Sequence, residues 1–226
     1  MAHRPAHDVT LSAAKGLAAS RSFAHLARDV RACAACDAMA HVHALGPANG
    51  PLVARAIFVA EAPGRRGAAL TGVPLTRDDA GRRFEAFLAL AGLARSDVFV
   101  TNAVLCNPLD ASGHNRPPAA REVQRCRAFL ACTLDIVEAP VVVALGRVAL
   151  DSLRAIAPHD ATLGRDAGCA LAWRGRVLVP MYHPARRATL RRTQQQQDAD
   201  WRRLGEIVRT LDVSPVPAPR ATMRVG

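Results

Sequence analysis

The sequence predicts an α/β protein, a three-layer α/β/α sandwich around a four-stranded, mainly parallel sheet. Three observations carry this expectation. Four short apolar runs rich in β-branched residues, 56–61 (AIFVAE), 98–104 (VFVTNAV), 141–146 (VVVALG) and 177–182 (VLVPMY), have the near-continuous hydrophobicity of strands buried on both faces. Helical patterns separate them: DDAGRRFEAFLALAGL ending on Gly92, PPAAREVQRCRAFLACTLDIVEA stopped by Pro140, and GRVALDSLRAIA directly after the third run. Strand–helix alternation with right-handed crossovers buries a parallel sheet between two helical layers.

The first run opens the sheet, and the EAPG stretch (61–64) after it carries Glu61. The second leads into NAVLCNP (102–108), the third into GRVA (146–149) and the fourth into YHPARR (182–187). In such folds the site forms at the carboxyl ends of the strands, and polar residues gather at three of these four ends. A helix over roughly 9–31 is expected before the first strand. QQQQ (194–197) reads as a solvated stretch without function. The chain divides into an N-terminal extension and helix (1–29), a catalytic-type domain (30–212) and a Pro-rich, disordered tail (213–226).

Composition narrows the function classes. No apolar run approaches the roughly 18 residues of a membrane-crossing helix, and the N-terminus places His, Arg and Asp where a signal peptide is apolar. A cytoplasmic, nucleoid-associated monomer is expected. Thirty basic residues, all but Lys15 arginine, stand against nineteen acidic ones, a net charge of +11 that favours an anionic partner such as nucleic acid. A codon bias toward arginine explains Arg over Lys but not the sign of the charge.

Six cysteines in a reducing compartment point to metal ligands or buried thiols. Cys33 and Cys36 form a C-x-x-C pair that needs further ligands. Cys106 follows a strand end and Cys126 lies inside the next helix, so a folded-back N-terminal segment would bring four thiolates together. Spacing alone leaves [4Fe–4S] and zinc both open. Cys132 and Cys169 read as small apolar core residues.

The stretch VTNAVLCNPLDASGHNRPPAAREVQRC resembles the iron–sulfur uracil-DNA glycosylases, in which Thr-Asn, Cys-x-Pro, Asn-Arg-x-Pro and a second helical Cys follow in this order. VAEAPG is similar to the first catalytic motif of that superfamily, and MYHPARR to its His-Pro motif. The resemblance spans about residues 30–210. It implies a uracil-DNA glycosylase-like fold, a structural [4Fe–4S] cluster on Cys33, Cys36, Cys106 and Cys126, and single- or double-stranded uracil-containing DNA as partner.

Within that resemblance each chemical task has a candidate. Negative charge builds on the departing base, chiefly at O2, and a donor there acts as an oxyanion hole does; His183 is that donor. Uracil shows an acceptor at O4 and a donor at N3, and the amide of Asn102 complements both. Asp78, in TGVPLTRDDAG, aligns with an acid of the broader-specificity branch and is assigned the water, with Glu61 as second candidate. Asp79 is expected to cap the following helix. Leu75 stands where the family carries a stacking Phe, and Phe58 or Phe84 would have to compensate. Ala62 and Gly64 complete the base contacts, Gly64 being too small to block a thymine methyl. Arg65, Arg66, Arg186, Arg187, Arg191 and Arg192 are expected on DNA phosphates, with Leu190 as a wedge in the duplex; His114 is read as merely exposed. The expected enzyme is a monofunctional glycosylase, since no lysine is available for a lyase step and GRRGAALTG lacks a histidine for a covalent trap. Alternatives are a glycosylase acting on other deaminated bases, hypoxanthine and xanthine, and a non-catalytic iron–sulfur DNA-binding module.

Overall fold

Each of the four apolar runs forms a parallel strand with every side chain buried or nearly so. The computed structural model describes residues 6–37 and 39–213; the tail beyond them lies outside the described residues. In chain order the elements are α1 (Ala6–Ala32), β1 (Met39–Ala40), β2 (Ala56–Ala60), α2 (Ala68–Thr71), α3 (Asp79–Leu90), β3 (Val98–Asn102) and β4 (Asn107–Pro108). There follow α4 (Ala120–Ile136), β5 (Val141–Leu145), α5 (Arg147–Ile156), α6 (Leu163–Asp166), β6 (Leu171–Trp173), β7 (Arg176–Met181) and α7 (Gln194–Val213).

The main sheet has the order β3-β2-β5-β7-β6, with β6 antiparallel to β7 and the rest parallel. The sandwich is therefore as expected, and the sheet gains a fifth strand at its edge. That strand is short and pairs with β7 through a two-residue hairpin in which both Arg174 and Gly175 have positive φ (49° and 70°). Such turns match the twist of the strands they join.

Alternation along the strands builds two cores. Ile57, Val59, Phe99, Val142 and Ala144 face one side, where Phe23, Leu26 and Val30 of α1, Leu130 and Leu134 of α4, and Leu150 and Leu153 of α5 cover them. Phe58, Val100, Val141, Val143 and Val179 face the other, under Phe84, Phe87 and Leu88 of α3 and Trp201, Leu204 and Val208 of α7. Trp201 stacks on Phe58 (5.7 Å) and Phe87 (5.0 Å), and Phe84 meets it edge-on.

Two readings of the sequence are corrected by this packing. QQQQ is the first turn of α7, and Gln197 is buried there, donating Nε2–H to the Arg192 carbonyl at 2.8 Å. Phe58 and Phe84 are both fully buried in the second core, so neither reaches a base as a substitute for stacking.

The sheet order reverses at β2, whose successors lie on opposite sides of it: β3 on one, β5 on the other. A crevice opens outside the carboxyl ends of the strands at such a switch point. Gly146, at the end of β5, has φ 91°, and a Cβ there would stand 3.3 Å from the Cβ of His183. Glycine thus lets the β5–α5 turn pass close under the loop that follows β7.

Candidate active site and cysteine cluster

The crevice holds a cavity of about 390 Å³, within the usual range of small-molecule sites. Its lining draws on every strand-end motif but one. Glu61, Ala62 and Gly64 come from the turn after β2, Leu75 and Asp78 from the loop before α3, and His183 and Arg187 from the segment after β7. Asn107, Pro108, Asn115, Arg116 and Pro117 form the facing wall.

Asp78 is the N-cap of α3: its Oδ1 accepts the Gly81 N–H at 2.9 Å. The cap is therefore Asp78 and not Asp79, which is exposed and paired with Arg82. One oxygen caps the helix and the other turns to the first motif. A Cβ at Gly67 would lie 2.6 Å from Asp78 Oδ2, and one at Gly64 3.0 Å from it. Glycine at both positions is what admits the carboxylate.

Glu61 is half-buried, and burial raises its pKa above the ordinary carboxylate value, while Arg187 and Arg147 pull it back. Leu75 and Arg77 both have left-handed backbone, φ 51° and 68°. Such residues cost of order 1–3 kcal/mol and persist where the surroundings over-determine them. Here Arg95 donates to the carbonyls of Pro74 (2.8 Å) and Leu75 (2.9 Å), and the hydroxyls of Thr71 and Thr76 meet at 2.7 Å. Leu75 is the largest aliphatic side chain of the described lining, and His183 carries its one aromatic ring.

The Ala185 N–H donates to Nδ1 of His183 at 3.1 Å. Burial first, and then the Arg187 charge, lower the His183 pKa to about 4. Near neutral pH the ring is thus uncharged with its proton on Nε2.

Asn102 ends β3 in register with Ala60 and is 2% exposed. It does not belong to the cavity lining; it lies on the strand beneath, and its Nδ2 is buried without a partner. The wall residues Asn107, Asn115 and Arg116 were not expected there. Asn115 and Arg116 belong to the Asn-Arg-x-Pro motif and Asn107 to the strand-end stretch NAVLCNP, which were the available signals. Arg116 grips the buried Glu122 of α4 through two bonds, 2.6 and 2.8 Å, and caps the loop by donating Nε–H to the Leu109 carbonyl. His114 is exposed, as read.

The arginines separate. Arg66, Arg186, Arg187 and Arg191 are exposed, Arg187 in the cavity lining itself, and Leu190 is 85% exposed at the end of a 3₁₀ turn, Arg186–Leu190. Arg65 instead ties loops together, donating to the Gly113 carbonyl at 3.0 Å. Arg192 is corrected outright: its guanidinium forms a bidentate pair, 2.6 and 2.7 Å, with the buried carboxylate of Asp200 on α7. With those donors engaged it holds the loop to the helix.

The cysteines converge beside the cavity, in a cluster against which Ala62 of the lining packs. Cys36, Cys106 and Cys126 are buried with Met39 and Val104 in a third, small cluster. The ladder of β1 on β4, with Met39 opposite Pro108, joins the segment after Cys36 to the segment after Cys106. Burial pushes the Cys126 thiol up to about 11, and Cys106, Cys36 and Cys33 push the same way. Burial likewise raises Cys106, with Cys33 and Cys36 adding to it. Four thiols thus interact at one place, and four thiolates there would need a cation. His41 and His43 flank them unexpectedly: His41 Nδ1 lies 4.0 Å from Cys106 Sγ, and His43 Nε2 bonds the Cys33 carbonyl at 2.9 Å. Cys169 is half-buried; Cys132 is exposed and not the core residue it was expected to be, because its position on α4 faces away from the sheet.

Comparison with known proteins agrees with this architecture. The family model of the uracil DNA glycosylase superfamily matches residues 47–205. A type-4 uracil-DNA glycosylase of Archaeoglobus fulgidus is 32% identical over 80% of this chain and 91% of its own length. Those of Thermotoga maritima (30% identical; 69% of this chain, 78% of the relative) and Saccharolobus solfataricus (29%; 71% and 74%) are similar to it as well. The matched span contains the strand-end loops that build the cavity, and the chain belongs to the uracil DNA glycosylase superfamily.

Proposed function

We propose that this protein is a monofunctional uracil-DNA glycosylase of base-excision repair, acting on uracil-containing DNA and leaving an abasic site. The observation that carries the reading is the neutral His183, its Nε2–H left as donor in a cavity that also holds two carboxylates. A target base must leave the duplex stack to reach such a cavity. As its bond to the sugar lengthens, charge grows on O2, and His183 Nε2–H stabilises it without first giving up a proton. Asp78 orients the water and offsets the cationic sugar, with Glu61 as the second acid. Asn102 recognises the base: its orphaned Nδ2 costs about 1–3 kcal/mol unless a ligand carbonyl meets it. Arg66, Arg186, Arg187 and Arg191 bind phosphates, and the exposed Leu190 fills the space the base vacates. Arg65 supports the loop that carries Arg66.

The donor set of Cys33, Cys36, Cys106 and Cys126 fits a [4Fe–4S] cluster, all four being thiols that already interact. When bound, the cluster supplies cross-linking and no electron transfer. Its ligands Cys106 and Cys126 bracket the chain segment that carries Asn107, Asn115 and Arg116, so binding there would hold the cavity wall.

The decisive assay is incubation with an oligonucleotide carrying one uracil, followed by alkali. Strand scission at that position supports the reading, and intact strands at enzyme excess refute it. A broader range of bases is a second reading, favoured by Gly64 and Leu75, which leave the cavity without bulk on that side. Hypoxanthine and xanthine substrates in the same assay test it, on single- and double-stranded DNA.

A further inference from the structure

We propose that Arg83 is a positioning residue for His183: it holds the Pro184–Ala185 peptide turned so that the Ala185 N–H faces Nδ1 of the ring. The consequence for excision rests on the glycosylase reading.

Two hydrogen bonds meet in one peptide group. Arg83, in the second turn of α3, donates Nε–H to the Pro184 carbonyl at 2.8 Å. The N–H of that same peptide is the Ala185 donor that meets His183 Nδ1 at 3.1 Å. Guanidinium, peptide and imidazole thus form a continuous chain of donors and acceptors. A charged donor makes the first link strong, and a peptide whose carbonyl is so engaged becomes a better donor through its N–H.

The peptide needs such a hold. The ring of Pro184 fixes its own φ, which leaves ψ of Pro184 and φ of Ala185 to rotate the peptide plane between them. Turned over, that plane would present its carbonyl to Nδ1. The neutral ring would then carry its proton on Nδ1 and offer a lone pair at Nε2, because the partner of one nitrogen sets the tautomer of both. A lone pair facing the departing base repels the charge that grows on O2. Only the arrangement held by Arg83 leaves a donor there.

Arg83 is itself held in place. Its guanidinium carbon lies 5.1 Å from the centre of the Phe87 ring, one turn further along α3, and Phe87 is buried against Trp201 of α7. Nη2 approaches Oε1 of the buried Gln197 at 3.5 Å, and Gln197 Nε2 is engaged by the Arg192 carbonyl at 2.8 Å. The same helix takes Asp78 as its N-cap through the Gly81 N–H. Helix α3 therefore sets the acid and the histidine relative to each other, the one through its cap and the other through Arg83.

Arg83→Met and Arg83→Gln make a matched pair for the test. Both stems reach as far as Nε of arginine, where Gln places an N–H and Met a methyl group, and both residues are good helix formers. In single-turnover excision of uracil, Arg83→Met should be slower by about tenfold, the worth of one hydrogen bond, with affinity for uracil-containing DNA unchanged. Arg83→Gln should stay within about threefold of the wild type, since it loses the charge but keeps the bond. In a His183→Ala background Arg83→Met should cost less than about twofold, because the group it positions is gone. Nitrogen-15 NMR of the histidine rings, with His183 assigned by the signal missing from His183→Ala, should show Nε2–H in the wild type and in Arg83→Gln. In Arg83→Met a share of Nδ1–H should appear. A tenfold loss that persists in His183→Ala, or a tautomer unchanged in Arg83→Met, would overturn the proposal, as would Arg83→Gln being as slow as Arg83→Met. Where Arg83→Met melts well below the wild type, Arg83→Leu takes its place in each comparison. A wild-type protein inert toward uracil would refute the glycosylase reading, and the ring spectra, recorded without substrate, would still decide the role of Arg83.

Discussion

The backbone N–H of Ala185 points at Nδ1 of His183 from 3.1 Å, and that one bond decides which nitrogen of the ring can act. With Nδ1 accepting, the proton of the neutral imidazole sits on Nε2. Burial and Arg187 hold the His183 pKa at about 4, below the unfolded value of 6.5. The native state therefore binds fewer protons than the unfolded one between those values. Stability from this group is fully present above about pH 6.5 and declines as pH falls toward 4. Excision should show no inflection near pH 6.5. His183→Ala should lower the excision rate by about 10²–10³, and His183→Gln should flatten the stability slope between pH 6.5 and 4 in urea titrations. A histidine-like inflection near pH 6.5 in the rate profile would refute the neutral-donor role.

The arginines make a second contrast. Arg192→Ala strands the buried Asp200 carboxylate, and a broken buried pair costs about 3–5 kcal/mol. Thermal melting should fall clearly, with DNA affinity of the remaining folded protein little changed. Replacing Arg186, Arg187 and Arg191 together should do the reverse, weakening binding to undamaged duplex and flattening its salt dependence with little effect on melting. Electrophoretic shifts over a salt series separate the two.

For the cysteines, anaerobically purified protein should be brown, with iron and sulfide in equal amount. Cys126→Ala should lose the colour and become poorly soluble, while Cys132→Ala should keep both, since Cys132 is exposed on α4. A colourless wild-type protein containing stoichiometric zinc would reassign the four thiols to a zinc site.

What the sequence disclosed and what it hid follow from the range of the interactions. Strands β2, β3, β5 and β7 are legible because burial on both faces writes an unbroken apolar run. β6 is not, because three edge residues, one exposed, leave no pattern. α7 begins in four glutamines, whose polarity suggested a solvated stretch, while its apolar face of Trp201, Leu204 and Val208 comes a turn later. Glu61, Asp78 and His183 could be assigned to the cavity from the sequence because each sits in a motif at a strand or helix end. What Asn107 holds was not legible, because its partners Pro63 and Asn115 are distant or separated by a loop, and only the folded chain shows that both its N–H groups are engaged. Arg192 failed in the opposite sense: its place in a basic run hid its pairing with Asp200.

The two acids give the last prediction. Asp78 divides its carboxylate between the α3 N-cap and the cavity. Asn is also a good N-cap, so Asp78→Asn should leave melting nearly unchanged while removing the negative charge that the cationic sugar requires. The excision rate should fall by roughly 10²–10⁴, as for positioned acid–base groups. Glu61 is different: burial already raises its pKa, so part of its charge is suppressed as pH falls. Glu61→Gln should cost less, because an amide there still orients a water. If Glu61 contributes as the second acid, its carboxylate should give the wild-type rate an acid limb that lies above the ordinary carboxylate range and vanishes in Glu61→Gln. Single-turnover rates of both variants against pH decide between them. A larger loss in Glu61→Gln than in Asp78→Asn would move the water to Glu61 and leave Asp78 as a helix cap that happens to face the cavity.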